Sequence, residues 1–412
     1  MIRHSAQTHP GKKRSQNEDA LLALPEYGLF VVADGVGGRA AGEVASALTI
    51  ETFREAAPSL HAAIGRYEQK REWASRNEVL EALDAICQRA TQRVYEESEA
   101  LGKRGMTTTL VVALVGGGAA FVAHVGDSRA WLVRDGLIRQ LTEDHSMVNE
   151  LVRTGQMTYE EARRSRYRSV ITRAIGLYPT VQADLMSIEI LPGDRLVLNT
   201  DGLSDPVATD VIENIACQDD VDTSTGKLIT AALDAGGPDN ISVVLVEPEA
   251  TPKTEAARAR AQVMEELFLF KGLPFHARLR VSRICRELFF TPGQELLHEG
   301  TTGDSMYVIV QGSVTVTRQG VPLASLTTGE HVGELGLLED HQRTATVTGA
   351  SYGSVIVIRR DELHEFCQRE PALGNQMLWR MLRTLGARLS ESNQALVNRT
   401  LRDAPTLVPR ED

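Results

Sequence analysis

The chain has 412 residues, more than one compact domain usually holds, so two or three domains are expected. Hydrophobic residues make up 42% of the chain and charged residues 24%, which is an ordinary composition for a globular protein. The formal net charge of −11 argues against general binding to nucleic acids, because neutralising phosphates requires a basic surface.

The cysteine pattern and the hydropathy exclude several further classes of protein. The four cysteines are far apart and form no C-x-x-C pair, which indicates neither a zinc ribbon nor a disulfide framework. No apolar stretch approaches the roughly 18–20 residues of a membrane span. The first residues lack the apolar core of a signal peptide. We therefore expect a cytoplasmic protein with reduced thiols and no membrane span.

Residues 1–248 alternate short β-rich segments with amphipathic helices. Helices are predicted over residues 42–57 and 79–101, where apolar residues recur at helical spacing. The strand candidates are apolar either continuously or at alternate positions, as in the core of two packed sheets. These candidates are residues 109–115, 119–125, 130–134, 181–190, 195–200 and 242–247. The pattern predicts a β-sandwich flanked by helices.

The composition changes after residue 248. Residues 249–262 combine proline, alanines and mixed charges, and they are predicted to form a linker. From Phe289 onward, glycines separate β-branched segments every few residues, which favours a small barrel or jelly roll. Residues 361–401 are predicted to be helical. The overall prediction is an α+β fold with a first domain over 1–248 and a second over 263–412.

Four short acidic motifs occur in a fixed order within the first domain. They are Asn17-Glu18-Asp19, Asp34-Gly35-Val36-Gly37-Gly38, Asp201-Gly202 and Asp239-Asn240. The last three adjoin apolar strand candidates, so their carboxylates would repel one another unless a cation lay between them. Oxygen ligands favour Mg²⁺ or Mn²⁺ over zinc. The motifs therefore predict a carboxylate-bridged, multi-metal hydrolytic centre.

These acidic motifs belong to a longer series that resembles the metal-dependent protein phosphatase (PPM) family over roughly residues 1–248. The series is Arg14-Ser15-Gln16-Asn17-Glu18-Asp19, Asp34-Gly35-Val36-Gly37-Gly38, Gly105-Met106-Thr107-Thr108-Thr109, Gly126-Asp127-Ser128-Arg129, Leu141-Thr142-Glu143-Asp144-His145-Ser146, Ile171-Thr172-Arg173-Ala174-Ile175-Gly176, Thr200-Asp201-Gly202-Leu203-Ser204-Asp205 and Asp239-Asn240-Ile241-Ser242. The resemblance implies a phosphoserine/phosphothreonine protein phosphatase that uses a metal-activated water.

The resemblance also implies a set of metal ligands. Asp34 corresponds to the carboxylate that bridges two metal ions, and the Gly35 carbonyl to a further ligand. Asp201 and Asp239 correspond to ligands of the first ion. Glu18 corresponds to a ligand of the second ion, directly or through water.

Three more positions follow from the same resemblance. Asp127, with Asp201, is similar to the third-metal site of bacterial members, so two or three ions are expected. Arg14 stands where the family has the arginine that binds the substrate phosphate. Val36 stands where eukaryotic relatives carry a histidine that protonates the leaving group, so the general acid stays open.

Residues 146–168 resemble the variable flap beside the active site of this family. They carry the arginines Arg153, Arg163, Arg164, Arg166 and Arg168 within an acidic protein. A basic flap would steer phosphoproteins toward the metal ions. The favoured alternative is a solvated helix face on which these arginines pair with neighbouring glutamates.

The second domain contains a motif that resembles the phosphate-binding cassette of cyclic nucleotide-binding domains, over about residues 264–398. The motif runs from Gly333, Glu334 and Leu335 to Arg343 and Thr344. By resemblance, Glu334 accepts a hydrogen bond from the ribose 2′-hydroxyl and Arg343 pairs with the cyclic phosphate. Backbone N–H groups after Gly333 would face the same phosphate. A hydroxyl at Thr344 is similar to members selective for cGMP, although cAMP binders also carry one.

The combined reading is a Mg²⁺- or Mn²⁺-dependent phosphatase for phosphorylated proteins, regulated by cGMP or cAMP and working opposite a cognate Ser/Thr kinase. One alternative is an active phosphatase whose barrel is a nucleotide-independent docking or dimerisation module. Another is a non-catalytic cyclic-nucleotide receptor. An apolar stripe over residues 377–389 would either form a homodimer or cover its own barrel.

Overall fold

The computed structural model describes residues 2–36, 41–70, 72–248, 262–267, 269–338 and 341–403. The chain divides into two compact units. Unit 1 comprises Met1–Arg258 together with Pro274–Glu287, and unit 2 comprises Ala259–Leu273 together with Leu288–Asp412. The predicted linker lies outside the described residues except for its last position, and so do Gly37 and Gly38 of the second acidic motif.

Unit 1 is built on two antiparallel sheets. The first has the strand order β1-β11-β10-β7-β8. Its strands are β1 (Arg3–His9), β7 (Arg129–Arg134), β8 (Leu137–Gln140), β10 (Arg195–Asn199) and β11 (Ile241–Glu247). The second has the order β2-β3-β5-β6-β9, with β4 paired to β3. Its strands are β2 (Asp19–Leu24), β3 (Leu29–Val36), β4 (Thr107–Thr108), β5 (Leu110–Gly116), β6 (Ala119–Val125) and β9 (Asp184–Glu189).

Helices cover the outer faces of both sheets. The described helices of unit 1 are α1 (Gly42–Lys70), α2 (Trp73–Ala100), α3 (Met147–Arg153), α4 (Tyr159–Arg164), α5 (Asp201–Ser204), α6 (Thr209–Gln218), α7 (Val221–Asp234) and α8 (Phe275–Val281). Short 3₁₀ helices occupy Pro25–Tyr27 and Ser282–Ile284. Helices α1 and α2 pack on the second sheet, and α6 and α7 on the first. The predicted β-sandwich flanked by helices is confirmed.

Strand β3 shows why the central strands are apolar without interruption. Phe30 and Val32 belong to the core between the two sheets, whereas Leu29, Val31 and Ala33 belong to the core between the second sheet and the helices. Successive side chains of a strand point to opposite faces, so a strand buried on both faces needs apolar residues at every position.

The helices of unit 1 extend beyond the predicted ends. Helix α1 continues to Lys70 because Leu60, Ile64 and Tyr67 carry its buried face onward. Helix α2 begins at Trp73, six residues before the predicted start at 79. The strand predicted over 181–190 is shorter, and β9 begins at Asp184.

The boundary between the units also differs from the predicted one. Residues 274–287 were placed in the second domain by the sequence, but they group with unit 1. Phe275 and Leu279 of helix α8 pack against the core between the two sheets. Arg280, on the same helix, forms ion pairs with Asp184 and Glu143. These apolar and ionic contacts are the physical reason for the shift.

Unit 2 contains two four-stranded antiparallel sheets around a small apolar core, in the orders β12-β21-β15-β18 and β13-β20-β16-β17, with β14 paired to β19. The strands are β12 (Cys285–Phe290), β13 (Glu295–Leu297), β14 (Thr302–Gly303), β15 (Ser305–Gln311), β16 (Ser313–Arg318), β17 (Val321–Thr327), β18 (His331–Val332), β19 (His341–Gln342), β20 (Thr346–Gly349) and β21 (Gly353–Arg359). The predicted small barrel is confirmed.

The helical end of unit 2 is divided into two helices. They are α9 (Arg360–Arg369) and α10 (Pro371–Asp403), with a break at Glu370. A residue before proline avoids the helical conformation, which explains the break. A 3₁₀ helix at Glu334–Leu337 lies between β18 and β19. No helix within the described residues is long and apolar enough to cross a membrane.

Phe121 tests the core between the second sheet and the helices. Its ring is fully buried and lies edge-on to Tyr67 at 5.2 Å. We expect Phe121→Ala to lower the free energy of unfolding of unit 1 by about 3–5 kcal/mol, because a large cavity remains. Urea unfolding measures this loss. Phe121→Leu should cost less than about 1.5 kcal/mol, and a similar cost for both variants would contradict the packing argument.

Candidate active site

The acidic motifs converge at one end of the unit 1 sandwich. Asp19 and Asp34 are cross-strand neighbours of β2 and β3. Asp201 starts helix α5 directly after β10, and Asp239 lies just before β11, which pairs with β10. Asp127 lies in the turn between β6 and β7, and β7 is the other neighbour of β10. Antiparallel pairing therefore gathers residues that are up to 220 positions apart in sequence.

The carboxyl groups of this cluster destabilise one another's charged forms. Burial, and then the charges of Asp19 and Asp201, raise the pKa of Asp34 well above its usual range. Burial and the charge of Asp201 do the same for Asp127. Burial raises the pKa of Asp201 to about 6, with the charges of Asp205 and Asp239 adding to it. Such a cluster is stabilised when cations lie among its oxygens.

Asp19 is a member of this cluster to which the sequence assigned no role. Its Oδ2 atom accepts hydrogen bonds from the hydroxyl groups of Thr200 at 3.0 Å and Ser242 at 2.7 Å. Burial nevertheless raises the pKa of Asp19 to about 7. Its Oδ1 atom and the Oδ1 atom of Asp201 are buried and make no hydrogen bond within the described residues. Unsatisfied buried carboxylate oxygens fit the requirements of a hard divalent cation.

Asp34 is held by its backbone. Its N–H donates to the Thr109 hydroxyl at 3.0 Å, and its carbonyl accepts from the Thr108 hydroxyl at 2.7 Å. The next residue, Gly35, leaves no room for a side chain, since a Cβ atom there would lie 2.6 Å from the Glu18 carbonyl oxygen. These contacts explain why threonines occur at positions 108 and 109 and why a glycine follows Asp34.

Asn240 fixes the segment that carries Arg14 and Glu18. Its side-chain oxygen accepts from the Glu18 N–H at 2.8 Å. Its side-chain nitrogen donates to the carbonyls of Pro10 at 3.0 Å and Gln16 at 2.8 Å. These three hydrogen bonds of the Asn240 side chain hold the segment that carries Glu18 next to the acid cluster.

Arg14 lies at the edge of the cluster. Its guanidinium donates to Asp239 Oδ2 at 2.8 Å, and this hydrogen bond is the main reason why the pKa of Arg14 is raised. Its side chain is 53% exposed, so it remains accessible to a substrate. Val36, at the end of β3, is also exposed.

The turn that carries Asp127 is braced from both sides. Gly126 has a φ of +108°, a conformation that favours glycine. The Ser128 hydroxyl shares a hydrogen bond of 2.6 Å with the Thr109 hydroxyl. Arg129 forms a bidentate ion pair with Asp144, with its shortest contact at 2.6 Å.

A second group of ligand-type side chains lies behind this turn. Ligand atoms of His124, His145 and Asp184 lie within 4.8 Å of one another. Two arginines already donate hydrogen bonds to the Asp184 carboxylate: Arg173 to Oδ1 at 3.1 Å and Arg280 to Oδ2 at 2.6 Å. A cation there would face two guanidinium groups, so the arrangement favours an ion-pair network over a metal site.

The flap segment forms helices α3 and α4. Glu161 caps α4 by accepting from the Thr158 N–H at 2.8 Å. Burial raises the pKa of Asp205 beside the acid cluster, whereas the charges of Arg129 and Arg168 lower it. The flap thus brings the positive charge of Arg168 near the acid cluster, and the steering role of the flap arginines stays a prediction.

In unit 2, Arg343 lies against Gly333 of the predicted cassette. Arg343 donates to the Gly333 carbonyl at 3.3 Å and to the Ser305 hydroxyl at 3.1 Å, both neutral groups. A Cβ atom added at Gly303 or Gly333 would lie 2.6 Å from its guanidinium group. The glycines therefore make room for the arginine.

The other predicted cassette residues are Glu334, Leu335 and Thr344. Glu334 and Leu335 begin the 3₁₀ helix, and the side chains of Leu335 and Thr344 are exposed.

Comparison with known proteins agrees with this geometry. Residues 7–218, just over half of the chain, match the family model described as protein phosphatase 2C, and residues 287–370 match the cyclic nucleotide-binding domain. The chain is 34% identical over 243 residues to protein phosphatase PhpP of Streptococcus pneumoniae, covering 58% of this chain and 94% of that protein.

Two solved structures resemble the chain as well. The serine/threonine phosphatase PstP of Mycobacterium tuberculosis superposes with a TM-score of 0.53 at 37% identity, covering 60% of this chain and 99% of that one. The PstP catalytic domain in complex with two manganese ions gives a TM-score of 0.51 at 35% identity, with coverage of 60% and 97%.

Fold, acid cluster and relatives together define a metal-dependent phosphatase domain in unit 1. The chain belongs to the protein phosphatase 2C family, in the PPM group of serine/threonine protein phosphatases, and carries a cyclic nucleotide-binding domain in unit 2.

Gly202 tests how tightly Asp201 and Asp239 are held together. A Cβ atom at Gly202 would lie 1.8 Å from the Asn240 carbonyl oxygen, so Gly202→Ala must move one strand end against the other. A displacement near 1 Å costs about 100-fold in turnover, and we expect a loss of that size. Hydrolysis of p-nitrophenyl phosphate with Mn²⁺ measures it.

Gly226→Ala is the matched control. Gly226 lies in helix α7, and a Cβ atom there would meet only the Gln7 side-chain nitrogen, at 3.9 Å. Its turnover should stay close to that of the unmodified protein. Equal turnover for the two variants would contradict the close approach at Gly202.

Proposed function

We propose that unit 1 hydrolyses phosphoserine and phosphothreonine in proteins with two or three Mg²⁺ or Mn²⁺ ions, and that a cyclic nucleotide bound by unit 2 regulates this reaction. The observation that carries the metal assignment is the acid cluster itself. Asp34, Asp127 and Asp201 have raised pKa values because burial and neighbouring carboxylates disfavour their charges. Bound cations would reverse this penalty.

The ligand assignment follows the placement of the oxygens. We assign Asp34 as the bridging ligand, with the Gly35 carbonyl beside it, because both lie at the end of β3, where the Gly35 N–H donates to the Glu18 carbonyl at 3.1 Å. Asp201 and Asp239 would hold the first ion and Glu18 the second. Two divalent ions would supply Lewis-acid activation of water and neutralise negative charge on the phosphate.

A third ion is assigned to Asp127 and Asp201. After burial, the charge of Asp201 is the largest cause of the raised pKa of Asp127, which supports a cation shared by the two carboxylates. The charge of Asp205 also raises the pKa values of both Asp127 and Asp201.

Arg14 is assigned to substrate binding. It is exposed, and its present partner Asp239 is one of the proposed metal ligands. A guanidinium group can donate to two oxygens of a phosphate at once. Arg14 would orient the phosphate over the ions, and a Ser/Thr kinase acting on the same proteins is the expected partner enzyme.

Asp34→Asn tests the bridging ligand. Turnover of a phosphothreonine peptide with Mn²⁺ should fall at least about 100-fold, because a preorganised charge at the reacting centre is removed. Asp234→Asn is the control, since Asp234 is an exposed carboxylate at the end of helix α7. Retained activity in Asp34→Asn would refute the metal assignment.

The same variants separate metal binding from turnover. At about 100 times the dissociation constant, Mn²⁺ should stabilise the unmodified protein by roughly 2.7 kcal/mol. This gain should be lost in Asp34→Asn and kept in Asp234→Asn, as measured by thermal unfolding with and without EDTA.

The nucleotide proposal rests on the surroundings of Arg343. Its guanidinium is partly buried, which lowers its pKa, and its hydrogen bonds go to a carbonyl and a hydroxyl. A cyclic phosphate would supply the negative charge that this position favours. Glu334 would accept from the ribose 2′-hydroxyl, and the backbone around Gly333 and Leu335 would line the phosphate. Thr344, whose side chain is exposed, would contact the base of cGMP.

The helices after the barrel offer a route for regulation. A cavity of about 520 Å³ is lined by Leu337 and Leu338 beside the 3₁₀ helix, by Leu363 and Cys367 of α9 and by Leu378 of α10. Closing such a cavity when the nucleotide binds would reposition α9 and α10. A coupling of ~1–3 kcal/mol corresponds to roughly 5–150-fold control.

Helix α10 bears on the docking and dimerisation alternatives. Met377 and Met381 of the predicted apolar stripe are buried within unit 2, whereas Leu378 and Leu382 are exposed together with Trp379. The stripe therefore covers part of its own unit and leaves an apolar face. That face favours the docking or homodimer alternative as a second function of unit 2.

Arg343→Leu tests nucleotide binding. Calorimetric titration with cAMP and with cGMP should show binding to the unmodified protein and a loss of roughly 10–100-fold in affinity in the variant, because a charge-assisted pair is worth about 1.5–3 kcal/mol. Arg318→Leu, at the exposed end of β16, is the control. The ratio of turnover with and without nucleotide should fall to about one only in Arg343→Leu.

Two outcomes would contradict regulation. If neither nucleotide binds the unmodified protein, the docking module is the better description of unit 2. If nucleotide binds and turnover is absent in every condition, the chain is a receptor.

A further inference from the structure

Helix α8 belongs to unit 1 although it follows the phosphatase region in sequence. It lies in Pro274–Glu287, beyond residues 7–218 matched by the phosphatase family model. Its residue Arg280 is only 8% exposed. Burying an arginine costs free energy of folding unless its charge is paired, so Arg280 must have acidic partners.

Arg280 joins two acidic residues from different parts of unit 1. It donates to Asp184 Oδ2 at 2.6 Å and to Glu143 Oε2 at 2.8 Å, partners 96 and 137 residues away in sequence. Burial alone would raise the pKa of Asp184, but hydrogen bonding from His145 and the charge of Arg280 hold it well below its usual range. The pairing therefore favours the charged form of Asp184.

From Asp184 the network continues to the turn that carries Asp127. His145 Nε2 lies 3.4 Å from Asp184 Oδ1. His145 Nδ1 accepts from the Gly126 N–H at 3.1 Å, and the His145 N–H donates to the Gly126 carbonyl at 2.7 Å. His145 Nε2 also lies 3.2 Å from a guanidinium nitrogen of Arg173, the other arginine that pairs with Asp184. Both backbone polar groups of Gly126 are thus fixed by one histidine.

A second connection reaches the other side of the same turn. Glu143, the second partner of Arg280, is followed directly by Asp144. Asp144 holds Arg129 in the bidentate pair described above. Arg280 is thus linked to Gly126 on one side of Asp127 and to Arg129 on the other.

The segment itself is anchored independently of Arg280. The Trp73 indole N–H donates to the Arg283 carbonyl at 2.7 Å. Arg76 donates to the carbonyls of Ser282 at 2.9 Å and Cys285 at 3.1 Å. These bonds satisfy carbonyls at the end of the short helices, so helix α2 holds the segment in place.

We propose that Arg280 is a positioning residue for the catalytic centre, which sets the conformation of the Gly126–Asp127–Ser128 turn through Asp184, His145 and Glu143. The importance of this turn for metal binding rests on the proposed assignment of Asp127. The phosphatase domain is then incomplete without a segment that directly precedes Leu288, where the chain enters unit 2.

The experiment compares Arg280→Met, Arg280→Lys and Arg278→Met in the full-length chain. Arg278 lies on the same helix, with its guanidinium 5.8 Å from the Phe275 ring, and serves as the matched control. Amide hydrogen exchange of the metal-free proteins is the first readout. Peptides covering residues 124–129 should exchange at least about tenfold faster in Arg280→Met, since local opening loses a brace, and at the normal rate in Arg278→Met.

The second readout is the Mn²⁺ concentration for half-maximal turnover. Residues that orient metal ligands change metal affinity by about 10–100-fold when removed, so we expect a rise of that order in Arg280→Met. Arg280→Lys keeps one charged donor and should give intermediate values in both readouts. Folding of each variant is checked by its melting temperature, and Arg280→Lys keeps the test valid if Arg280→Met does not fold.

Two results would overturn the proposal. One is unchanged exchange at residues 124–129 in both Arg280 variants. The other is faster exchange throughout unit 1 with a lower melting temperature, which would make Arg280 a residue of general stability. Faster exchange confined to the turn with an unchanged Mn²⁺ requirement would support the positioning role of Arg280 and refute the metal assignment of Asp127 instead.

Discussion

The main physical constraint on unit 1 is the mutual repulsion of the carboxylates gathered at one end of its β-sandwich. Asp19, Asp34, Asp127 and Asp201 all have pKa values raised by burial and by the charges of neighbouring carboxylates. Such an arrangement costs stability in the absence of cations, so the surrounding fold must hold it in place. The proposed divalent cations would offset this cost, because a positive charge between the oxygens compensates their repulsion.

The sandwich supplies the required rigidity. The central strands are buried on both faces, and their ends cannot move without disturbing the apolar cores on either side. Hydroxyl groups and one amide then fix the individual acids. Thr108 and Thr109 hold the backbone of Asp34, Thr200 and Ser242 hold Asp19, and Asn240 holds the segment with Glu18. The acid cluster is thus held in place by neutral donors and acceptors, which leave its acidic charge for the proposed metal ions.

The proposed ligand site of unit 2 contains a positive charge, whereas the acid cluster of unit 1 contains negative charges. Arg343 lies among glycines and donates hydrogen bonds to two neutral acceptors, so it could offer its positive charge to an anionic ligand. The segment with Arg280 packs on unit 1 and, in sequence, directly precedes the residues of unit 2. Its ion pairs with Asp184 and Glu143 are linked to the Asp127 turn only through further residues, His145 on one side and Asp144 on the other.

The sequence by itself determined the two folds, the four acidic motifs and the cassette arginine, because these depend on local patterns. Strand alternation, glycine spacing and short motifs are readable without knowing which elements meet. Only the tertiary structure decided that Asp19 joins the acid cluster, that Asn240 holds Glu18, and that Arg280 pairs with Asp184 and Glu143. These are polar contacts between residues distant in sequence, and they depend on sheet register and helix docking. Periodicity reports which residues are buried, but it carries no information about which buried charge meets which partner.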